Sequence, residues 1–195
     1  MHSLRLRVFY SVLLLGILGL GSVSALAGGV IIMKLGQVEL WDDSQFLGGQ
    51  ERVFDDRSRR TFGFAWEHRN KRNIGFGMEY LTYRHDYRPA TAASGGQAKT
   101  QMILFSARKY FIDSGVFHPF VGMGMGLGHT SVTGGPDLSP DVNFQVHANT
   151  GIEFRFDNIG FLVEIKGLYN DSDGPVNNRY DPSGTAIFGG MSFIF

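Results

Sequence analysis

The last stretch of the chain, Gly184 to Phe195, is an alternating apolar segment that ends on an aromatic residue. Phe193 and Ile187 fall on one face and Ile194 and Phe188 on the other, at the two-residue period of a strand. A soluble domain rarely leaves such a strand unpaired, because an open apolar edge promotes aggregation. A transmembrane barrel instead pairs its last strand with its first. The segment therefore predicts a closed transmembrane β-barrel.

The start of the chain has the features of a secretory signal, which an outer-membrane barrel needs for export. Arg5 and Arg7 form a basic region, Val8 to Leu20 is apolar, and Ala25-Leu26-Ala27 is a small-x-small cleavage site. We therefore predict a signal peptide over residues 1–27. An uncleaved anchor is the less favoured alternative, because the apolar run is shorter than the ~20 residues that span a bilayer.

The predicted mature domain, residues 28–195, is nearly neutral. Removing Arg5 and Arg7 leaves 16 of the 18 basic residues against 18 acidic ones, a net charge near −2. This argues against a dedicated nucleic-acid binder, which normally carries a strong basic excess. The chain has no cysteine, which excludes disulfides, thiolate metal sites and thiol catalysis. No cofactor is expected.

The domain divides into about eight alternating segments, each close to the ~10 residues that a tilted membrane strand needs. An even number of strands is what a bacterial barrel requires. The predicted strands run approximately Val30 to Trp41, Thr61 to Arg69, Ile74 to Tyr87, Thr100 to Ile112, Pro119 to Val132, Asn143 to Phe156, Gly160 to Asn170, and Gly184 to Phe195.

Short and long connections alternate along the chain. The short ones are Asn70 to Asn73, Asp113 to His118, and Asp157 to Ile159; the long polar ones are Asp42 to Arg60, Arg88 to Lys99, Thr133 to Val142, and Asp171 to Ser183. This asymmetry is typical of an up-and-down barrel with tight periplasmic turns and long extracellular loops. It predicts an all-β, eight-stranded antiparallel up-and-down transmembrane β-barrel with both termini in the periplasm.

The cost of placing charge against lipid sets the phase of each strand, because charged side chains must then point into the lumen. The inward set predicted in this way is Glu67, Arg69, Glu79, Arg108, His147, Glu153, Arg155, Glu164 and Lys166. Its four glutamates balance its four arginine and lysine residues, so we expect a lumen packed with salt bridges. A polar conduit or proton path is the functional alternative.

Two strands do not fit this rule directly. Arg108 and Lys109 are adjacent, so one must face lipid, and Lys109 is close enough to a predicted turn to reach the interface. In the first strand Lys34 and Glu39 have opposite parity. Either Gly36 marks a bulge or Glu39 lies at the outer rim, and the sequence leaves both open.

Glycine occupies every second position of the fifth segment, at Gly122, Gly124, Gly126 and Gly128. A phosphate-binding loop needs a different spacing at a strand-to-helix turn. The period of two instead predicts one smooth inward face, which makes room for long side chains from opposite strands or permits sharp curvature.

His129 and Ser131 lie on the lipid-facing side near the predicted outer rim, as does the His-x-Ser pair of outer-membrane lipases that deacylate lipid A. Here Val132 follows the serine where those lipases have Asn, and the next Glu is the inward-facing Glu153. A serine nucleophile needs its base oriented by a third group. We therefore expect an interfacial histidine and a loop-end serine rather than a catalytic pair.

The first long connection carries charge of both signs. Its charged residues include Arg52, Arg57, Arg59 and Arg60, together with Glu51, Asp55 and Asp56. We expect a solvated loop. The alternative is that this connection binds lipopolysaccharide phosphates or a host surface.

Two motifs, Pro119-Phe120-Val121-Gly122-Met123-Gly124-Met125-Gly126 and the closing Phe193-Ile194-Phe195, carry a family resemblance. With them the chain resembles the small outer-membrane β-barrel superfamily that includes opacity-like surface proteins and the OmpA-type membrane domain. The resemblance implies a bacterial outer-membrane location and insertion by the barrel machinery through the C-terminal strand. It identifies architecture and does not supply function.

The leading functional expectation is a non-enzymatic integral outer-membrane protein with a structural, surface-interaction or adhesion role through its extracellular loops. Expected partners are outer-membrane lipid and lipopolysaccharide, the insertion machinery and an extracellular ligand of the loops. The alternatives are an outer-membrane lipid-modifying enzyme and then a narrow channel.

Overall fold

The computed structural model describes residues 28–42, 44–47, 50–54, 58–89, 96–133, 142–171 and 181–195. The strands within these ranges are β1 (Gly29–Leu40), β2 (Ser44–Leu47), β3 (Gln50–Phe54), β4 (Ser58–Arg69), β5 (Ile74–Pro89), β6 (Gly96–Tyr110), β7 (Phe117–Thr133), β8 (Val142–Phe156), β9 (Ile159–Asp171) and β10 (Gly184–Ile194). Within the same ranges, no helix has the length and apolarity required to cross a membrane. The predicted signal peptide lies outside them.

Eight of the strands in the described part of the chain close into an antiparallel barrel. Each of β4 to β9 pairs with the strand that follows it, and β1 pairs with both β4 and β10. Met33, for example, lies opposite Phe64 of β4 and Met191 of β10. Closure gives the backbone of the apolar C-terminal strand, β10, hydrogen-bond partners on both edges. The predicted eight-stranded up-and-down barrel is confirmed.

Strands β2 and β3 form a hairpin that the sequence had placed in a loop. β3 pairs with the end of β5, where Phe54 lies opposite Tyr87. The last β4 residue paired with β5 is Thr61, opposite Tyr83, so the rest of β5 would otherwise have an open edge. On its other edge β5 pairs with β6 as far as Gly96. The wall at this side is therefore taller than the sequence predicted.

The barrel has two different ends. The turn end carries both chain ends of the barrel and the short connections, and the loop end carries the long ones. In the first short turn Asn70 Oδ1 accepts hydrogen bonds from the amides of Arg72 at 2.9 Å and Ile74 at 3.1 Å. Asn73 and Asp157 have left-handed φ angles of 56° and 49°, which Asn and Asp tolerate better than most residues.

Apolar side chains cover the outer face of the described strands. Leu35, Met123 and Val163 are among the large hydrophobic residues that are more than half exposed, at 68%, 69% and 54%. Aromatic rings pair near the turn end, where Phe117 lies 5.8 Å from Phe154 between ring centroids. A continuous exposed apolar belt of this kind is the surface that a hydrocarbon environment requires.

The structure settles both ambiguous strands. β1 pairs without interruption on both sides of Gly36, so there is no bulge there. Lys34 points inward and is 1% exposed, whereas Glu39 is exposed at the loop end. Arg108 is buried in the lumen, and the exposed Lys109 donates to the carbonyl of Arg72 at 2.6 Å at the turn end.

Candidate functional site

The inward-facing charges gather in the half of the lumen nearer the turn end. The structure places eight of the nine predicted residues, all but His147, in one network of ion pairs and adds Lys34 to it. Strand alternation explains the clustering, because each strand presents every second side chain to the same narrow interior.

Glu164 is the centre of this network. Lys34 Nζ lies 2.9 Å from its Oε1, Arg108 Nη2 lies 2.9 Å from its Oε2, and Lys166 Nζ lies 3.4 Å from its Oε1. Neighbouring Glu79 accepts from Lys166 at 2.6 Å and lies 2.9 Å from Lys34 Nζ. The side chains of Lys34, Lys166 and Glu164 have no solvent exposure. Each buried charge thus has a partner, as a low-dielectric interior requires.

Glu67 joins the centre to the turn end. Its carboxylate accepts from Arg69 Nε at 2.6 Å, from Arg108 Nη1 at 3.3 Å and from the Tyr110 hydroxyl at 2.9 Å. The Arg69 guanidinium also stacks over the Tyr110 ring, with Cζ 4.3 Å from its centroid. Tyr110 therefore contacts both the Glu67 carboxylate and the Arg69 guanidinium.

Glu153 closes the network at the turn end. Its carboxylate receives Arg69 Nη1 at 2.7 Å and Arg155 Nη2 at 2.9 Å, and the Ser192 hydroxyl donates to it as well. Arg155 is the most exposed of the nine charges, at 26%. All four glutamates are held by at least two cations, so none is available as a general base.

Lys34, Tyr110 and Ser192 belong to this network and were absent from the predicted set. Lys34 makes five cations against four acids, so the lumen cluster carries one positive charge rather than the predicted balance. Lys34 was not predicted because Lys34 and Glu39 cannot both point inward on a regular strand. Lys34 is identified correctly if the charge nearer the centre of the strand is placed inward and Glu39, near the end of the strand, is placed at the rim.

The half of the lumen nearer the loop end contains the larger apolar cluster, beside buried polar side chains such as His85, Gln145 and Asn170. The buried side chains of this cluster are Val38, Leu40, Leu81, Tyr83, Tyr87, Ala98, Met102, Leu104, Leu168, Ala186 and Phe188. The Tyr83 hydroxyl donates to the carbonyl of Pro182 at 2.7 Å, which satisfies its polar atom. Lys34 Nζ lies 4.6 Å from the Phe188 ring centroid and joins this cluster to the ionic one. Described side chains thus fill the lumen in two successive layers.

His147 lies beside the ionic cluster, where its Nε2 is 3.0 Å from the Ser106 hydroxyl. The glycine face of β7 makes room for it. A Cβ at Gly124 would lie 2.6 Å from His147 Cε1, and a Cβ at Gly122 would lie 2.9 Å from Arg108 Cγ. The prediction that this face accommodates long side chains is right, but they come from the adjacent strands β6 and β8 rather than from opposite ones.

His129 and Ser131 occupy outward register positions of β7 near the loop end, where His129 is buried at 8% exposure and Ser131 is half-buried. His129 is opposite Gln101 and Val142, and Ser131 is opposite Lys99. None of these cross-strand neighbours is an acid that could orient the imidazole. Among the residues that the structure describes, no group of three or more His, Asp or Glu side chains could hold a metal ion.

No family model and no curated protein matches the sequence. Solved structures do match its fold. The crystal structure of Neisserial surface protein A has a TM-score of 0.63 at 17% identity, covering 86% of this chain and 97% of that chain. The outer membrane protein OprG from Pseudomonas aeruginosa has a TM-score of 0.62 at 13% identity, with 87% and 96% coverage.

The chain has the fold of a small outer-membrane β-barrel. The predicted resemblance is confirmed at that level, and at these identities the likeness establishes the fold alone. A third outer-membrane-type match is Ail, the attachment invasion locus protein of Yersinia pestis, in complex with the heparin analogue sucrose octasulfate. It has a TM-score of 0.51 at 12% identity, covering 86% of this chain and 99% of Ail.

Proposed function

We propose that this barrel is a non-enzymatic integral protein of the bacterial outer membrane, with its turn end in the periplasm and its loop end outside the cell. The exposed apolar belt of the described strands supports membrane insertion, because such a surface is stable only against hydrocarbon. In this orientation the long connections meet the surroundings. Its function is surface interaction or adhesion through them.

The filled lumen is the observation that carries this proposal. The apolar cluster around Phe188 and the ionic cluster around Glu164 lie one above the other, and Lys34 contacts both. Opening a path would require breaking buried ion pairs that are 0% exposed. A scaffold role therefore fits the interior better than conduction does.

The shape of the loop end supports a role in binding. Strands β2 and β3 extend the wall along the edge of β5 beyond the last β4 pairing. The pairing of β3 with β5 fixes where the neighbouring connections begin, and binding residues commonly lie on loops held by a scaffold. Ail, which shares the fold, is known in complex with a heparin analogue. A polyanionic glycan is accordingly a suitable first probe for the loop end.

The test compares surface binding, conductance and lipid chemistry of the same protein. Cells that express the barrel should bind immobilised heparin or extracellular matrix more than cells that lack it. Arg52→Gln and Arg57→Gln together, in the first long connection, should reduce that binding because two cations that a polyanion can meet are lost, whereas Lys71→Gln and Arg72→Gln in the periplasmic turn should not.

Purified protein should give no conductance steps in planar bilayers and should leave lipid A and phospholipids unchanged by mass spectrometry. Reproducible conductance steps would favour the channel. Loss of an acyl chain that depends on Ser131 would favour the lipid-modifying enzyme.

A further inference from the structure

Three cations lie side by side on the outer wall near the loop end. Lys99 of β6 is directly opposite Arg84 of β5. Arg60 of β4 adjoins the last paired position, Thr61 opposite Tyr83, and so lies next to Arg84 on the other side. All three side chains point outward; Arg60 and Arg84 are exposed and Lys99 is half-buried. We call Arg60, Arg84 and Lys99 the cationic row.

The cationic row is electrostatically unfavourable as it stands. Like charges directly opposite each other across strands destabilise a sheet. The one ion pair described nearby joins Arg59 Nη2 and Asp86 Oδ2 at 2.8 Å, so this acid is already engaged. In the described part of the chain, no acid lies within ion-pair distance of the three members of the row. An external anion would relieve their repulsion.

A groove of about 770 Å³ runs along the row and onto the apolar belt. Its lining includes Arg59 as well as the cationic row, against the single acid Asp86. Its lower wall is apolar and includes Leu35 and Phe62, which are 68% and 41% exposed. Tyr80, whose hydroxyl accepts from Gln101 Nε2 at 2.5 Å, lies between the charged and apolar parts.

We propose that this groove binds the phosphorylated headgroup of lipopolysaccharide, with the acyl chains along the apolar wall. The occupant must be anionic where the wall is cationic and apolar directly below, which describes lipid A in the outer leaflet. Arginine holds phosphate oxygens in bidentate geometry, and lysine adds a point charge. This inference rests on the proposed outer-membrane location and names a lipid partner within it.

The experiment uses the whole barrel, purified without lipopolysaccharide in a neutral detergent. The readout is the temperature at which half of the protein loses its folded gel mobility. Adding lipopolysaccharide should raise this temperature, and lipid A stripped of its phosphates should have a much smaller effect. Arg60→Gln, Arg84→Gln and Lys99→Gln combined should weaken the apparent affinity at least about tenfold, since several charge-assisted contacts are lost.

Lys109→Gln is the matched control, because Lys109 is an outward cation at the opposite rim. It should respond to lipopolysaccharide as the wild type does. Equal responses of the triple variant and the wild type would overturn the proposal. Stabilisation by dephosphorylated lipid or by inorganic phosphate that equals that of lipopolysaccharide would do the same. A protein without any heat-dependent mobility shift would instead refute the barrel in the membrane, which separates the two failures.

Discussion

Removing the Glu164 carboxylate should destabilise the barrel more than removing the lysine paired with it. Three cations lie within 3.4 Å of Glu164, and Glu164→Gln leaves five lumen cations with three acids. Breaking a buried pair by removing one partner costs about 3–5 kcal/mol. Lys34→Met leaves Glu164 with Arg108 and Lys166, so the loss is closer to that of one charged hydrogen bond, about 1.5–3 kcal/mol.

The two changes should also be coupled. With Lys34→Met and Glu164→Gln together, four cations face three acids, so the net charge returns to the wild-type value. The double variant should therefore be less destabilised than the sum of the single ones, by about 0.5–3 kcal/mol. Glu39→Gln is the control, because Glu39 is exposed at the rim and should change stability by less than about 0.5 kcal/mol.

The assay is reversible urea unfolding of the barrel in phospholipid vesicles, followed by tryptophan fluorescence. The free energy of unfolding should decrease in the order Glu39→Gln, Lys34→Met, Glu164→Gln. The reasoning is refuted if Glu164→Gln is no worse than Glu39→Gln. It is equally refuted if the single effects add without coupling, because the ion pair would then contribute nothing of its own.

Three further changes test other parts of the structure. Gly124→Ala should lower the urea midpoint, because its Cβ would clash with the carbonyl oxygen of Phe105 and lie 2.6 Å from the His147 ring; Gly189→Ala, whose Cβ meets no atom within 4 Å, should not. Phe188→Ala should cost about 3–5 kcal/mol in the same assay, because it leaves a cavity between the two lumen layers. Ile165→Arg, midway along the exposed belt, should cost about 2–4 kcal/mol in vesicles, whereas Ser131→Arg near the loop end should cost about 0–1 kcal/mol. Equal effects of the two arginines would contradict the placement of the membrane.

The sequence was sufficient to predict the eight strands of the barrel, because alternation and the exclusion of charge from lipid are local rules. Glu164 and Lys166 are inward for the same reason that Val163 and Ile165 are outward. The ion-pair partners were not predictable in this way. The cation that pairs with Glu164 is determined by the register of strands that are distant in sequence.

The apolar cluster nearer the loop end was also not predicted. The cost of charge against lipid identifies only charged inward residues, whereas Leu81, Met102 and Leu168 are apolar and occupy the same inward positions nearer the loop end. The β2–β3 hairpin was not predicted for a different reason. Its formation depends on the open edge of β5, and the sequence of the connection itself shows no strand alternation that stands out from a polar loop.

The most direct test of a closed membrane barrel is gel mobility of the outer-membrane fraction with and without boiling. Expressed with its N-terminal segment, the protein should fractionate with outer membranes and run as a compact band unboiled and as a slower band after boiling, because the closed hydrogen-bonded wall resists detergent. A protein that is instead released in the soluble periplasmic fraction, with the same mobility before and after heating, would contradict the outward assignment of the apolar belt and the function proposed from it.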